Sequence, residues 1–190
     1  ISSFRNTDDP NPVEKKNGET PSVWIEKTEV EGRQYKKEGE LQLGNAIYSP
    51  SQDKGGQDRY STMREAEVGD IVLHLLQDEG ELVGVSTIES ELETDFEGRP
   101  EFGWTAEQEG YRRWLTNYQE LDDPLNIYDD VLKNQRYQQL LMDIREDYSN
   151  IFYEKTLSLV QGGYFTQCPP ELASIFAIEN NRNPGTSNIF

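Results

Sequence analysis

Two neighbouring segments carry the clearest hydrophobic pattern in the chain. Ile71–Leu76 (IVLHLL) is apolar on both faces, with Ile71, Leu73 and Leu75 opposite Val72, His74 and Leu76. Such a pattern predicts a central strand covered on both sides. Asp78-Glu79-Gly80 predicts a turn and Leu82–Ile88 an antiparallel return. Ser22–Val30 (SVWIEKTEV) alternates, with Val23, Ile25 and Lys27 on one side and Trp24 and Glu26 on the other, and predicts another strand. Gly44–Ser49 predicts a short strand ended by Pro50. DKGGQD then reads as a loop, because adjacent glycines resist regular structure, and Met63-Arg64-Glu65 as a turn.

Further along, Glu89–Gly103 reads as a long acidic loop and Tyr111–Leu121 (YRRWLTNYQEL) as a strand. The period then becomes helical. Pro124 opens a short helix through Tyr128, Val131 and Leu132; a longer one places Tyr137, Leu140, Leu141, Ile144 and Tyr148 on one face. Thr156–Val160 reads as a last strand, broken by Gly162-Gly163. Pro169-Pro170-Glu171 starts a final helix with Leu172, Ile175 and Phe176 inward. Strands first and helices last predict an α+β fold, a small mixed or antiparallel β-barrel with helices packed around it. The expected organisation is a flexible N-terminal arm over 1–21, a domain over 22–179 and a linker-like tail over 180–190.

At 190 residues, 34% hydrophobic and 11% aromatic, the chain is long enough for one domain with a proper core. No apolar run approaches a membrane span, and the first residues lack the apolar centre of a signal peptide. Cys168 is the only cysteine, which excludes an internal disulfide and fits the reducing cytoplasm. Position 1 is Ile rather than Met, as expected of a fragment or a processed form.

Charge changes the picture more. Thirty-six Asp and Glu against 18 Lys and Arg give a net charge of -18, spread along the whole chain. That distribution fits a halophilic source, where molar salt screens self-repulsion. It argues against affinity driven by phosphate contacts, but counterion release fades with salt, leaving stacking and base-edge hydrogen bonds to hold a nucleic acid.

Catalytic chemistry is hard to assemble. His74, the sole histidine, sits inside an apolar strand and reads as a buried, hydrogen-bonded side chain. Cys168 precedes a helix start but has no histidine nearby in sequence, so a structural thiol is the expectation. Carboxylates are too numerous for any pair to stand out, metal-ligand spacing is missing, and the glycine pairs lack the context of a nucleotide-binding loop. The expectation is a chain without catalysis, cofactor or metal.

The run LGNAIYSPSQDKGGQDRYSTMRE, with EKTEVEGRQY before it and VGDIVLHL and QGGYFT after it, resembles the EVE domains of the PUA superfamily. The likeness is greatest to the specificity modules of McrB-like, modification-dependent restriction systems, and extends more distantly to YTH domains. It spans about residues 22–180. It implies a nucleic-acid-binding module that flips a modified, methylated base of DNA into an aromatic cage. Tyr48 in NAIYSP and Trp104 in FGWT match the two cage positions of YTH domains, Tyr48 standing where a Trp is usual; Trp24 matches the aromatic on the first EVE strand. Asn45 and Ser49 are candidates for the base edge, and Lys54, Arg59, Arg64 and Arg112 for the phosphates. The resemblance also implies a downstream AAA+ GTPase domain and a separate nuclease subunit as partners. Two other readings stay open: a reader of modified RNA, and a small-molecule-binding or hydrolytic domain using the same pocket. The plainer alternatives are that the aromatics, Trp24 and Trp114 above all, fill the core and that the basic residues pair with carboxylates.

Overall fold

A computed structural model describes residues 20–58, 60–104 and 109–182. Its centre is the strand that is apolar on both faces. This strand, β3 (Ile71–Leu76), pairs in parallel with β1 (Val23–Thr28) and antiparallel with β4 (Glu81–Ile88). Gly80 makes the β3–β4 turn at a φ of 69°, a left-handed conformation that suits glycine.

The longest strand, β6 (Glu109–Asn126), gives the sheet its curl. Its second half pairs with β4; its first half lies between β2 (Ala46–Pro50) and β5 (Glu93–Glu97). With β7 (Phe165–Gln167) antiparallel to β1, the order is β2-β6-β4-β3-β1-β7, and β5 pairs with β6 beside that path. The result is a curled, mixed α+β half-barrel, the class the sequence predicts. Two short helices, α1 (Gln34–Lys37) and α2 (Thr62–Glu65), sit in the connections between the early strands.

Apolar residues separate by face. Ile25, Leu73, Leu75 and Leu82 pack against α3 (Gln138–Asp147) and α4 (Pro170–Asn180), where Leu141, Ile144, Leu172, Ile175 and Phe176 are buried. Trp24, Ile47, Met63, Val72, Ile88 and Phe165 form a second cluster within the curl. A third lies around Leu41, Ala46, Tyr48 and Phe96.

Several local expectations are corrected. Glu89–Gly103 is not all loop: β5 lies in it, recruited to β6 through the one buried side chain of ETDFE, Phe96, and Pro100–Phe102 form a 3-10 turn. Pro124 does not open a helix but lies in β6. There the pairing jumps from Gly84↔Glu120 to Leu82↔Leu125, a bulge in which a residue without an N–H costs no ladder bond. The helical turn follows at Ile127–Leu132, wound as a π-helix and capped by Asn126, whose side chain accepts the Asp129 N–H at 2.9 Å. Thr156–Val160 is not a strand. Leu157 adopts a φ of 56°, only an isolated bridge joins Tyr153 to Leu159 in this stretch, and the last described strand is β7. Leu140 faces solvent, while Tyr137, Leu141 and Ile144 carry the buried side of α3. Among the described residues no helix is long and apolar enough to cross a membrane.

Candidate functional site

Among the described residues no strand closes the curl. Its two ends, β2 and β7, are bridged by a side chain: the Tyr48 N–H on β2 donates to the hydroxyl of Tyr164, just ahead of β7, at 3.0 Å. Beside this seam lies a cavity of about 140 Å³ lined by Tyr35, Tyr48, Tyr60, Phe102, Trp104 and Tyr164, with Thr28, Arg33, Lys36, Ser49 and Pro50 between the rings. An apolar cavity of about 150 Å³ accommodates one benzene ring, so this space suits a single aromatic ring.

The aromatic walls come from five segments. Phe102 stands 5.0 Å from Tyr48, 4.9 Å from Tyr35 and 5.3 Å from Trp104, measured between ring centroids. Trp104 is seated against backbone, because a Cβ added at Gly98 or Gly110 would come within 2.4 or 2.6 Å of its indole. The two glycines thus leave the room the indole occupies.

Beneath the rings lies a buried charged network. Glu26 on β1 has no solvent exposure; it receives Lys36 Nζ at 2.8 Å, His74 Nδ1 at 2.7 Å and the Tyr164 hydroxyl at 2.8 Å. Burial alone would raise the Glu26 pKa, but the Lys36 ammonium and the His74 contact outweigh it and hold the carboxyl down to about 2. Glu26 is therefore an anion whose oxygens are occupied. His74 Nε2 meets Ser86 Oγ at 2.8 Å, so the histidine is the buried, bonded side chain its strand predicts. Burial, then the neighbouring Glu26 charge, push the phenols of Tyr48 and Tyr164 far above the usual tyrosine range, and both remain neutral. Lys36 Nζ lies 4.4 Å from the centroid of the Tyr48 ring, within cation–π range.

Tyr48, Ser49 and Trp104 come together at this cavity, although Trp104 is far from the other two in sequence. Lys54 lines an adjoining hollow of about 290 Å³ that shares Pro50, Tyr60, Phe102 and Trp104 with the first. The remaining candidates lie elsewhere. Trp24 is a core residue, stacked on Phe165 at 5.2 Å and donating from Nε1 to Asp70 at 2.9 Å. Asn45 lies in the turn just ahead of β2 and reaches back to the Gly39 carbonyl at 3.4 Å, outside the cavity lining. Arg64 is held by Asp58 at 2.5 Å and donates to the Tyr111 hydroxyl at 2.7 Å. Arg112 is paired with Glu93 at 2.6 Å and lies between the rings of Phe96 and Trp114. Its neighbour Arg113 is buried, donating to the Met63 and Ser90 carbonyls. Arg59 lies outside the described residues.

Sequence reasoning missed Glu26, Lys36, Tyr35, Tyr60, Phe102 and Tyr164. One left a trace: Glu26 on β1 faces His74, the single polar residue of IVLHLL, in the β1–β3 register. Cys168 is buried and desolvation pushes its thiol well above the usual range, so the thiolate that nucleophilic attack requires is disfavoured. Among the described residues no group of three His, Cys, Asp or Glu side chains forms a metal site.

No protein-family model matches the sequence, and no curated protein matches it. Solved structures share its fold. A Pseudomonas putida protein superposes with a TM-score of 0.54 at 10% identity, covering 84% of this chain and 99% of that one. A hypothetical protein from Leishmania major gives 0.51 at 13% identity, covering 86% and 96%. The N-terminal domain of Staphylothermus marinus McrB is also similar, with a TM-score of 0.45 at 10% identity over 82% of this chain and 92% of that one. At such identities the likeness concerns the fold alone.

Proposed function

We propose that this chain is a nucleic-acid-binding module that takes a modified base, swung out of its strand, into the cavity at the seam of the half-barrel. The observation that carries the reading is the convergence of Tyr48 and Trp104 on one ring-sized space walled by four further aromatics. A flat base gains about 1–3 kcal/mol from each aromatic it stacks on. A methyl group buried among the rings adds roughly 0.8 kcal/mol, enough to favour a methylated base several-fold before any hydrogen bond is counted. The resemblance of the sequence to EVE domains points the same way.

The module binds rather than reacts. Glu26 is an anion whose oxygens are engaged by its donors, His74 is sealed inside the sheet, and Cys168 is held as a thiol. In a McrB-like arrangement it would confer specificity on a GTP-hydrolysing AAA+ domain and a nuclease subunit carried elsewhere. The test is equilibrium binding to matched duplex DNA and single-stranded RNA, each with and without one methylated base. Tighter binding to the methylated DNA than to its plain counterpart supports the reading. Discrimination on RNA alone transfers the module to RNA, and equal binding to all four refutes it.

A further inference from the structure

We infer that Phe102 is an internal plug: in the free chain its ring holds the stacking position on Tyr48, and it swings outward before a base can take that position. This rests on the base-binding reading above and adds the step that opens the same site.

The surroundings of the Tyr48 ring are the first argument. Phe102 lies across it at 5.0 Å and 32°, Phe96 meets it edge-on at 5.8 Å, and Lys36 Nζ stands 4.4 Å from its centroid. Stacked rings have centroids about 4.5–7 Å apart, so Phe102 already fills the place of a base stacked on Tyr48. The same ring reaches Trp104 at 5.3 Å and thus touches both of the aromatics a base would use. Of the three neighbours of Tyr48, two are fixed: Phe96 is buried on β5, and Lys36 is buried and tied to Glu26. Phe102 is half-buried, with a way out to solvent.

The backbone under Phe102 is the second argument. Phe102 ends the 3-10 turn Pro100–Phe102, a short form with weaker hydrogen-bond geometry than an α-helix. Among the described residues the backbone bonds of this turn are its own: the Phe102 N–H donates to the Arg99 carbonyl at 3.0 Å and the Gly103 N–H to the Pro100 carbonyl at 3.3 Å. Gly103 follows at a φ of 69°, and a Cβ placed there would meet nothing within 4 Å, so the turn ends in a permissive residue with open space beside it. Trp104 is the contrast, two residues on, because its indole is closed in by Gly98 and Gly110. One exposed tie holds the turn down: Arg99, whose guanidinium lies 6.0 Å from the Phe102 ring, pairs with Glu40. Closed and open forms follow from this arrangement, and only the open form offers Tyr48 to a base. The affinity observed is then the affinity of the open form reduced by the fraction of chains that are open.

A plug and a wall predict opposite signs. The full chain is titrated with duplex DNA carrying one methylated base and with the plain duplex, using the wild type, Phe102→Ala and Glu40→Gln, with association rates and thermal unfolding recorded for each protein. Phe102→Ala should bind the methylated duplex at least about five-fold more tightly than the wild type does. Its observed association rate should rise linearly with DNA concentration, where the wild-type rate levels off at the rate of opening. Glu40→Gln loosens the turn with every ring in place and should tighten binding by about two-fold, in line with the modest strength of an exposed ion pair; it decides the matter should Phe102→Ala fail to unfold cooperatively. Unchanged or weaker binding by Phe102→Ala, with the preference for methylated DNA kept, makes Phe102 a wall of the bound site and overturns the inference while the base-binding reading stands. Equal binding of methylated and plain DNA by all three proteins fails both.

Discussion

The backbone N–H of Tyr48 donates to the hydroxyl of Tyr164 at 3.0 Å, and this bond joins the two ends of the sheet, β2 and the approach to β7. The same hydroxyl donates to Glu26 at 2.8 Å, so one atom ties the edge of β2 to the buried charges of β1. Tyr164→Phe removes both bonds and leaves a strand-edge amide and a buried carboxylate short of a partner. Stability should fall by about 2–4 kcal/mol, from two lost bonds of which one is to a charged group. Chemical denaturation of both proteins checks this, and a loss under 1 kcal/mol would mean that the seam is held by other contacts.

Acid should weaken the fold through Glu26. Its carboxyl titrates at about 2 in the folded chain against 4.5 for an ordinary glutamate. The folded value is the lower one, so the contribution is complete above pH 4.5 and is lost as pH falls towards 2. Glu26→Gln removes that dependence while leaving Lys36 buried without its counter-charge, at a cost of about 3–5 kcal/mol near neutrality. Denaturant midpoints measured from pH 7 to pH 2.5 should therefore fall steeply below pH 4.5 in the wild type and less steeply in the variant. On the alkaline side the sign reverses. Tyr118, raised by burial from 10 to about 12, adds stability that is complete below pH 10 and is lost as pH climbs to 12.

How much of this could be read from the sequence depended on where the signal lay. β3 and β4 were legible because IVLHLL and ELVGVSTI carry their burial in their own composition. β5 was not, since ETDFE buries one side chain and is a strand only because β6 is there to pair with it. β6 was cut short at Leu121 because Pro124 reads as a helix start until the bulge that accommodates it is seen. Tyr48 and Trp104 were found by resemblance, yet their partners Tyr35, Tyr60 and Phe102 lie in single helical turns or a loop, too short to show a period. Trp24 shows the opposite case: an aromatic on a first strand looks the same in sequence whether it faces a ligand or, as here, Phe165.

Salt should separate the fold from its ligand. A net charge of -18 repels itself, so stability should rise steadily as salt is added. Binding carried by stacking should weaken only slightly, with a log–log slope of about −1 to −3. Arg33 in the cavity lining, Arg99 beside Phe102 and, away from the cavity, Arg112 each face a carboxylate, which limits the charge available to phosphates. Titrations over a salt series measure the slope directly; a value near −6 would put phosphate contacts in charge.

Lys54 borders the hollow beside the cage and shares Trp104 with it, a place suited to the phosphate next to a swung-out base. Lys54→Ser should weaken methylated and plain DNA alike, by about three-fold, leaving their ratio unchanged, because a phosphate contact positions without specifying. A loss confined to the methylated DNA would place Lys54 at the base itself.

The central claim is that a modified base stacks among the rings at the seam. The measurement that tests it most directly is the ratio of dissociation constants for plain and methylated DNA, taken on wild type and Trp104→Ala side by side, with unfolding curves for both. Trp104 is the better probe because it is half-buried, whereas Tyr48 is packed against Phe96, Phe102 and Lys36, and its removal would cost about 3–5 kcal/mol of stability. The account predicts that Trp104→Ala unfolds cooperatively near the wild-type midpoint while its preference for methylated DNA falls at least about ten-fold, the loss of one stacking face. A variant that folds normally and discriminates as well as the wild type would contradict it.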